Sequence, residues 1–149
     1  MRAVVQRVTS AEVRVDGELV GKSGKGLLVY LGVHRDDTEK DLEYLCDKVP
    51  NLRIFTDGEG KMNLSLTDTG GEIMVVSQFT LYGDARRGRR PSYGEAAGNE
   101  VGNRFYTAFT EAMKKKGIVT ATGIFGADMQ VTYTNDGPVT ILLDSFREF

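Results

Sequence analysis

The sequence contains very few of the side chains that enzymes use as nucleophiles and bases. Its 149 residues include one histidine, His34, and one cysteine, Cys46. A single histidine excludes a histidine-rich metal site, and no cluster of Cys and His residues is present. A single cysteine excludes an intrachain disulfide framework and indicates a reducing compartment. A catalytic pair of the Ser-His or Cys-His type would have to use His34, and nothing in the sequence places it beside a nucleophile.

Long apolar runs and a strong net charge are also absent. No apolar run reaches the roughly 20 residues that a membrane-spanning helix needs. The first eight residues are too short and too interrupted for a signal peptide, so we expect a cytoplasmic protein with no membrane partner. The formal net charge of −2 argues against a generally basic nucleic-acid binder but is compatible with a local basic patch.

Recognisable cofactor motifs are missing as well. The sequence has neither a Walker motif nor a strand–GxGxxG–helix unit. The acidic run at residues 57–60 lacks the spacing of an EF-hand, which favours a solvated turn. An all-carboxylate magnesium site stays open, but no compact group of acids indicates one. We therefore predict no cofactor and assign no metal ligand.

The pattern of apolar residues predicts one α+β domain over residues 1–149, with many strands and two main helices. Strands are predicted at 2–8, 13–15 and 26–33, with a hairpin turn at Asp16-Gly17. Helices are predicted from about residue 36 to Pro50 and over 96–116. Strands at 129–134 and 139–143 flank residues 135–138, which favours a second hairpin. Cys46 lies on the apolar stripe of the first helix, which favours a buried structural thiol.

One stretch, residues 73–83, combines a buried strand with polar side chains at its end. Four apolar residues, 73–76, run without a break, as in a strand buried on both faces. Ser77, Gln78 and Thr80 then place three neutral polar side chains at the strand's exit, with Phe79 between them. The arrangement is compatible with a site for a polar or anionic substrate, and also with the commoner case of a core strand that enters a turn.

A short loop after this strand concentrates positive charge. It carries four arginines together with glycine and proline: Arg86, Arg87, Arg89 and Arg90. The loop is either a solvated surface segment or a contact for phosphates, which positions a nucleic acid without reading its sequence. Three lysines, 114–116, end the second predicted helix, where cations suit the helix dipole, so RNA contact is a secondary explanation for them.

The absence of an evident general base restricts the chemistry. If the chain is an enzyme, we expect backbone donors, substrate positioning and a group on the substrate to carry the reaction. One well-placed oxyanion donor contributes about 10²–10³ in rate. That is enough only for a bond that is already labile, such as an activated ester.

Two short motifs together resemble the signatures of a known family. They are Ser77-Gln78-Phe79-Thr80-Leu81 and Asn135-Asp136-Gly137-Pro138-Val139-Thr140. Both resemble the signature motifs of the D-aminoacyl-tRNA deacylases. The resemblance extends from the N-terminal strand to the last one, and the length matches that of a family member.

The resemblance implies a homodimeric editing enzyme with its active site at the dimer interface. Such an enzyme hydrolyses the ester that joins a D-amino acid, or glycine, to the 3′-terminal adenosine of tRNA. The family fold is an α+β domain with an antiparallel, barrel-like β-sheet. Gly137-Pro138 is then expected to be a cis peptide that enters the partner subunit's pocket and rejects L-amino acids.

The resemblance also implies roles for individual residues. The catalytic segment comprises Ser77, Gln78, Phe79 and Thr80, with the Phe79 amide and its neighbours stabilising the oxyanion and the substrate 2′-OH assisting water. Arg7 orients the Gly-Pro segment, while Phe125 and Met129 line the adenosine end. With tRNA as the implied partner, the phosphate contacts that the charged loop itself suggests are predicted to be tRNA contacts of Arg86, Arg87, Arg89 and Arg90. Alternatives are Thr80 as a covalent nucleophile, another small esterase or amidase, and a non-catalytic RNA-binding module.

Overall fold

The first strand organises the structure, a computed structural model that describes residues 1–149. Strand β1 (Arg2–Val15) pairs antiparallel with β8 (Gln130–Asp144) along one edge. Along its other edge it pairs antiparallel first with β3 (Gly26–Gly32) and then with β2 (Glu18–Ser23). The predicted turn at Asp16-Gly17 joins β1 to β2, so one long strand holds three neighbours in register.

The remaining strands extend the sheet beyond β3. Strand β6 (Glu72–Ser77) pairs parallel with β3, and β7 (Thr120–Thr122) pairs parallel with β6. A small separate ladder joins β4 (Phe55–Thr56) to β5 (Met62–Leu64). Strand β2 approaches β7 so closely that a Cβ on Gly21 would collide with the carbonyl of Thr122. Glycine permits this approach, and the six-stranded sheet is rolled into a nearly closed barrel.

The predicted α+β class is confirmed, although the sheet is mixed rather than wholly antiparallel. Parallel neighbours require a crossover connection, which is usually helical. Helices α1 (Glu39–Asn51) and α2 (Leu66–Thr69) lie between β3 and β6, and α3 (Asn99–Lys115) lies between β6 and β7. The two main helices predicted are α1 and α3, and α2 is a single turn. None of these helices has the length and apolar character that crossing a bilayer requires.

Two apolar clusters hold the layers together. The larger one packs α1 and α3 against one face of the sheet, and the smaller one fills the other face between β1, β3 and β6. Successive residues of a strand point to opposite faces, so β3 and β6 contribute to both clusters. This double burial explains why their sequences are continuous apolar runs.

The predicted hairpin at residues 135–138 is wrong. Both flanking segments belong to β8 and pair with β1 in the same direction. Asn135 lies opposite Val8 and Thr140 lies opposite Gln6, so residues 136–139 face Arg7 alone and form a bulge. The chain does not reverse here because β1 is long enough to pair with both halves of β8.

Candidate active site

A cavity of about 520 Å³ opens where β6 ends. Val76, Ser77, Gln78 and Phe79 form one side of it. The other side comes from α3 and from the loop that follows β7, and includes Gly102, Tyr106, Phe125 and Met129. The predicted buried strand therefore leads directly into a site large enough for a ligand.

The backbone just after β6 leaves two amide donors free. The chain turns from β6 into a 3₁₀-helix, Phe79–Tyr82, and the Gln78 amide donates to the carbonyl of Leu31 at 2.8 Å. The first amides of a helical turn have no partner within that turn. The amides of Phe79 and Thr80 accordingly donate no hydrogen bond within the chain. Two adjacent unpaired N–H groups can donate to an oxyanion and stabilise its negative charge.

The opposite wall of the cavity is aromatic and rigid. The rings of Phe125 and Tyr106 lie 5.8 Å apart, and a Cβ on Gly102 would lie 3.3 Å from the Phe125 ring. The Tyr106 hydroxyl donates to the carbonyl of Val75 at 3.0 Å. Burial raises the pKa of Tyr106 to about 12, so this hydroxyl stays protonated at neutral pH and cannot serve as a base.

The bulge in β8 is held by side chains on both of its strands. The Asn135 side-chain amide donates to the Arg7 carbonyl at 3.0 Å and to the Val139 carbonyl at 2.9 Å. These two bonds tie the ends of the bulge together across the ladder. Between them Gly137 and Pro138 are exposed, and the peptide bond that joins them is cis.

The side chain of Arg7 packs against this bulge. It is 12% exposed, its Nη1 donates to the carbonyl of Ile54 at 2.7 Å, and its Nε lies 3.3 Å from Asp136 Oδ2. A Cβ on Gly137 would lie 3.0 Å from Arg7 Nη2. The guanidinium is therefore fixed by β8 and by the chain before β4, and it supports the Gly-Pro segment from one side.

The two conventional catalytic candidates lie outside the site. His34 Nδ1 accepts the Asp36 amide at 3.0 Å, so Nε2 carries the proton and donates to Glu95 at 2.9 Å. Neither ring nitrogen is available to Ser77 or Thr80. Cys46 is half-buried rather than fully buried as predicted, and burial raises the pKa of its thiol to about 11, which keeps the thiol neutral at neutral pH.

The arginine loop starts and ends beside the cavity. Asp84 and Ser92 pair through two backbone hydrogen bonds, from Asp84 N to Ser92 O at 2.8 Å and from Ser92 N to Asp84 O at 2.9 Å. These bonds close a loop whose four arginines are all exposed. The next residue, Tyr93, lines the cavity, so the arginine loop is anchored directly beside it.

The family model described as D-Tyr-tRNA(Tyr) deacylase matches residues 4–144. The chain belongs to the D-Tyr-tRNA(Tyr) deacylase family. A D-aminoacyl-tRNA deacylase of Clostridium botulinum (strain 657 / Type Ba4) is 58% identical over 149 residues, and one of Thermosipho africanus (strain TCF52B) is 56% identical over 149 residues. Both alignments cover 100% of each chain.

Two solved structures share the fold of this chain. The c-Myc DNA Unwinding Element Binding Protein is 44% identical with a TM-score of 0.90, over 97% of this chain and 98% of that one. A probable eukaryotic D-amino acid tRNA deacylase has a TM-score of 0.80 at 20% identity, over 95% and 97% of the two chains. The second likeness concerns the fold alone.

The structure brings five of the residues predicted for a deacylase site to one cavity. They are Ser77, Gln78, Phe79, Phe125 and Met129. Thr80 is exposed next to the cavity, and its Oγ1 accepts a hydrogen bond from the Gln78 side chain. Arg7, Gly137 and Pro138 do not line the cavity of their own chain. The insertion of Gly137 and Pro138 into a partner's cavity stays a prediction.

Several residues at the site, Tyr93 among them, had no role in the sequence-based prediction. Tyr106 and Asp128 line the cavity, and Asn135 holds the bulge although only its place in a motif was recognised. Asp128 lies between two residues that the resemblance implied, which was the one available signal. Tyr106 lies on an amphipathic helix, where nothing in the sequence separates a cavity wall from ordinary core.

Proposed function

We propose that this protein hydrolyses the ester between a D-amino acid and the 3′-terminal adenosine of tRNA. The observation that carries the proposal is the pair of unpaired amides at Phe79 and Thr80, at the edge of a cavity formed by the family's motif residues. The full-length likeness to D-aminoacyl-tRNA deacylases supports the same activity. We further propose that residues 1–149 act as one cytoplasmic domain.

In the proposed reaction, water attacks the ester carbonyl while the Phe79 amide and its neighbour stabilise the oxyanion. The carbon–oxygen bond to the ribose then breaks, which releases the free amino acid and the tRNA hydroxyl. Asp128 is the only carboxylate that lines the cavity, and it is exposed with no hydrogen bond to orient it. A protein base is therefore not supported, and the ribose 2′-OH is proposed to assist the attacking water.

Chiral selection is proposed to come from a second copy of the chain. The carbonyls of the partner subunit's Gly137 and the partner subunit's Pro138 would bind the substrate ammonium and fix its Cα. An L side chain would then point into protein, while a D side chain would point to solvent. A pocket that recognises side chains by size separates two substrates by only about 1–3 kcal/mol per methylene group. A rigid wall of main-chain atoms would instead exclude the L-enantiomer by steric clash. Glycine has no Cβ for the wall to reject and would also be a substrate.

The decisive experiment compares D-Tyr-tRNA with L-Tyr-tRNA, with a no-enzyme control. We expect rapid loss of the D ester and loss of the L ester at the uncatalysed rate. Hydrolysis of both would retain the esterase and refute the chiral wall. Hydrolysis of free D-aminoacyl esters as fast as the tRNA ester would indicate a different small esterase. If neither ester is hydrolysed but the protein still binds the RNA, the result would indicate a non-catalytic RNA-binding module.

Replacing Thr80 by alanine distinguishes the two chemical mechanisms. The Thr80 hydroxyl lies outside the cavity and has no base beside it, so we expect kcat for D-Tyr-tRNA to fall by about tenfold at most, the value of one hydrogen bond. A covalent nucleophile would instead give near-complete loss with the circular dichroism spectrum unchanged. Single-turnover measurements on both proteins separate this chemical step from product release.

A further inference from the structure

Two exposed aromatic rings lie between the cavity and the arginine loop. Phe79 is 56% exposed and Tyr93 is 41% exposed, and both line the cavity. Their ring centroids lie 5.1 Å apart at an interplanar angle of 70°. Exposed aromatic rings beside positive charge are the features with which proteins bind single-stranded nucleic acid, since bases stack on the rings and cations contact the phosphates.

The segment that follows Tyr93 is held by the segment that contains the single histidine. The Arg35 amide donates to the Glu95 carbonyl at 3.0 Å, and the Ala97 amide donates to the Val33 carbonyl at 2.9 Å. The hydrogen bond between His34 and Glu95 reinforces these two. The ring of Tyr93 thus projects from an anchored backbone, which lowers the ordering cost of binding a base.

The four arginines of the loop are not equivalent. Arg86 makes two parallel contacts with Asp84, from Nε to Oδ1 at 2.8 Å and from Nη2 to Oδ2 at 2.7 Å. The Arg86 guanidinium holds the pKa of Asp84 well below its usual range, so the pair stays ionised at neutral pH. Arg87, Arg89 and Arg90 are exposed and form no ion pair within the chain. The loop therefore presents three positive charges that have no acidic partner, while the ion pair of Arg86 with Asp84 stabilises the start of the loop.

We infer that Phe79, Tyr93, Arg87, Arg89 and Arg90 form one binding track for the single-stranded RNA segment that precedes the terminal adenosine. A base of that segment stacks on the aromatic pair, and its phosphates contact the three free arginines. Arg86 shapes the loop and does not contact RNA. The inference rests on the proposed function for its ligand, and it places the tRNA end so that the ester reaches the cavity.

Two triple variants with equal loss of charge test the arginines. One replaces Arg87, Arg89 and Arg90 by alanine, and the other replaces Lys114, Lys115 and Lys116 at the distant end of α3. Binding of uncharged tRNA is measured against salt concentration. For a single strand, each lost phosphate contact reduces the magnitude of the slope of log K against log salt concentration by about 0.7. We therefore expect the slope of the arginine variant to be shallower by about 2. The lysine variant should keep the slope.

Tyr93 is tested by two substitutions and two RNAs. We expect Tyr93→Ala to weaken tRNA binding by about tenfold and Tyr93→Phe to retain it, because stacking on an aromatic ring contributes about 1–3 kcal/mol per base. The Tyr93→Ala effect should vanish with tRNA whose single-stranded 3′ end has been trimmed. An effect that persists with trimmed tRNA, or Tyr93→Phe as weak as Tyr93→Ala, would overturn the stacking role.

Binding and hydrolysis fail independently in these experiments. An unchanged salt slope for the arginine variant would overturn the track even if the protein hydrolyses D-Tyr-tRNA. Equal slopes for the two triple variants would also overturn it, because the effect would then depend on net charge. If the expected slopes appear but no ester is hydrolysed, the track stands and the proposed function fails.

Discussion

Replacing Phe79 by proline is expected to lower kcat for D-aminoacyl-tRNA by about 10²–10³-fold, the loss that follows from removing one oxyanion donor. Proline has no N–H, so the substitution deletes the proposed donor itself. The Phe79 amide makes no hydrogen bond within the chain, so no internal bond is lost. Proline is also well suited to the first position of a helical turn, where its fixed φ matches the backbone.

The matched control is Phe79→Ala, which removes the ring and retains the amide. A proline disfavours the helical conformation for the residue before it. Gln78 has a φ of −146° and a ψ of 82°, which is not helical, so both variants should fold. We expect Phe79→Ala to raise KM through the lost stacking surface and to keep most of kcat. Circular dichroism and thermal denaturation verify the fold of each variant. Equal kcat values for the two variants would remove the Phe79 amide from the mechanism.

The local features of this fold follow from short-range chemistry and are readable in the sequence. The apolar stripe of α1, with Leu42, Leu45 and Val49 buried, was predicted because one helix face must pack against the sheet. The start of α1 is fixed by a capping box between Thr38 and Asp41. The end of β6 was predicted because polar side chains interrupt a buried run at Ser77.

The features that were missed depend on pairing between distant segments. Whether residues 135–138 form a hairpin or a bulge is decided by the length of β1, about 130 residues earlier in the chain. The parallel pairing of β3 with β6 likewise depends on where the intervening helices dock. The contact between Tyr93 and Phe79 joins two segments that are separated along the chain by the arginine loop. Periodicity in a single segment carries none of this information.

The second large effect is expected for Gly137→Ala, which should lower kcat/KM for D-Tyr-tRNA by about 10²-fold. Gly137 has a φ of 121°, and an added Cβ would lie 2.9 Å from Val139 Cγ2 and 3.0 Å from Arg7 Nη2. The bulge or the Arg7 side chain must therefore shift. A misplacement of about 1 Å in a group that positions the substrate costs about that factor in rate. Because the moved carbonyls belong to the proposed chiral wall, the preference for D-Tyr-tRNA over L-Tyr-tRNA should fall.

Gly17→Ala is the control that separates this local displacement from backbone strain. Gly17 also has a positive φ, 80°, but a Cβ there would meet nothing within 4 Å. Both alanines cost about 1–2 kcal/mol for the positive φ. Gly137→Ala adds the cost of displacing Val139 or Arg7, so chemical denaturation should show a loss of stability in both variants and a larger one for Gly137→Ala. Only Gly137→Ala should lose activity and chiral preference. If both folded variants kept the same activity and the same chiral preference, the Gly-Pro segment would have no part in substrate selection, and the interface site would lose its main support.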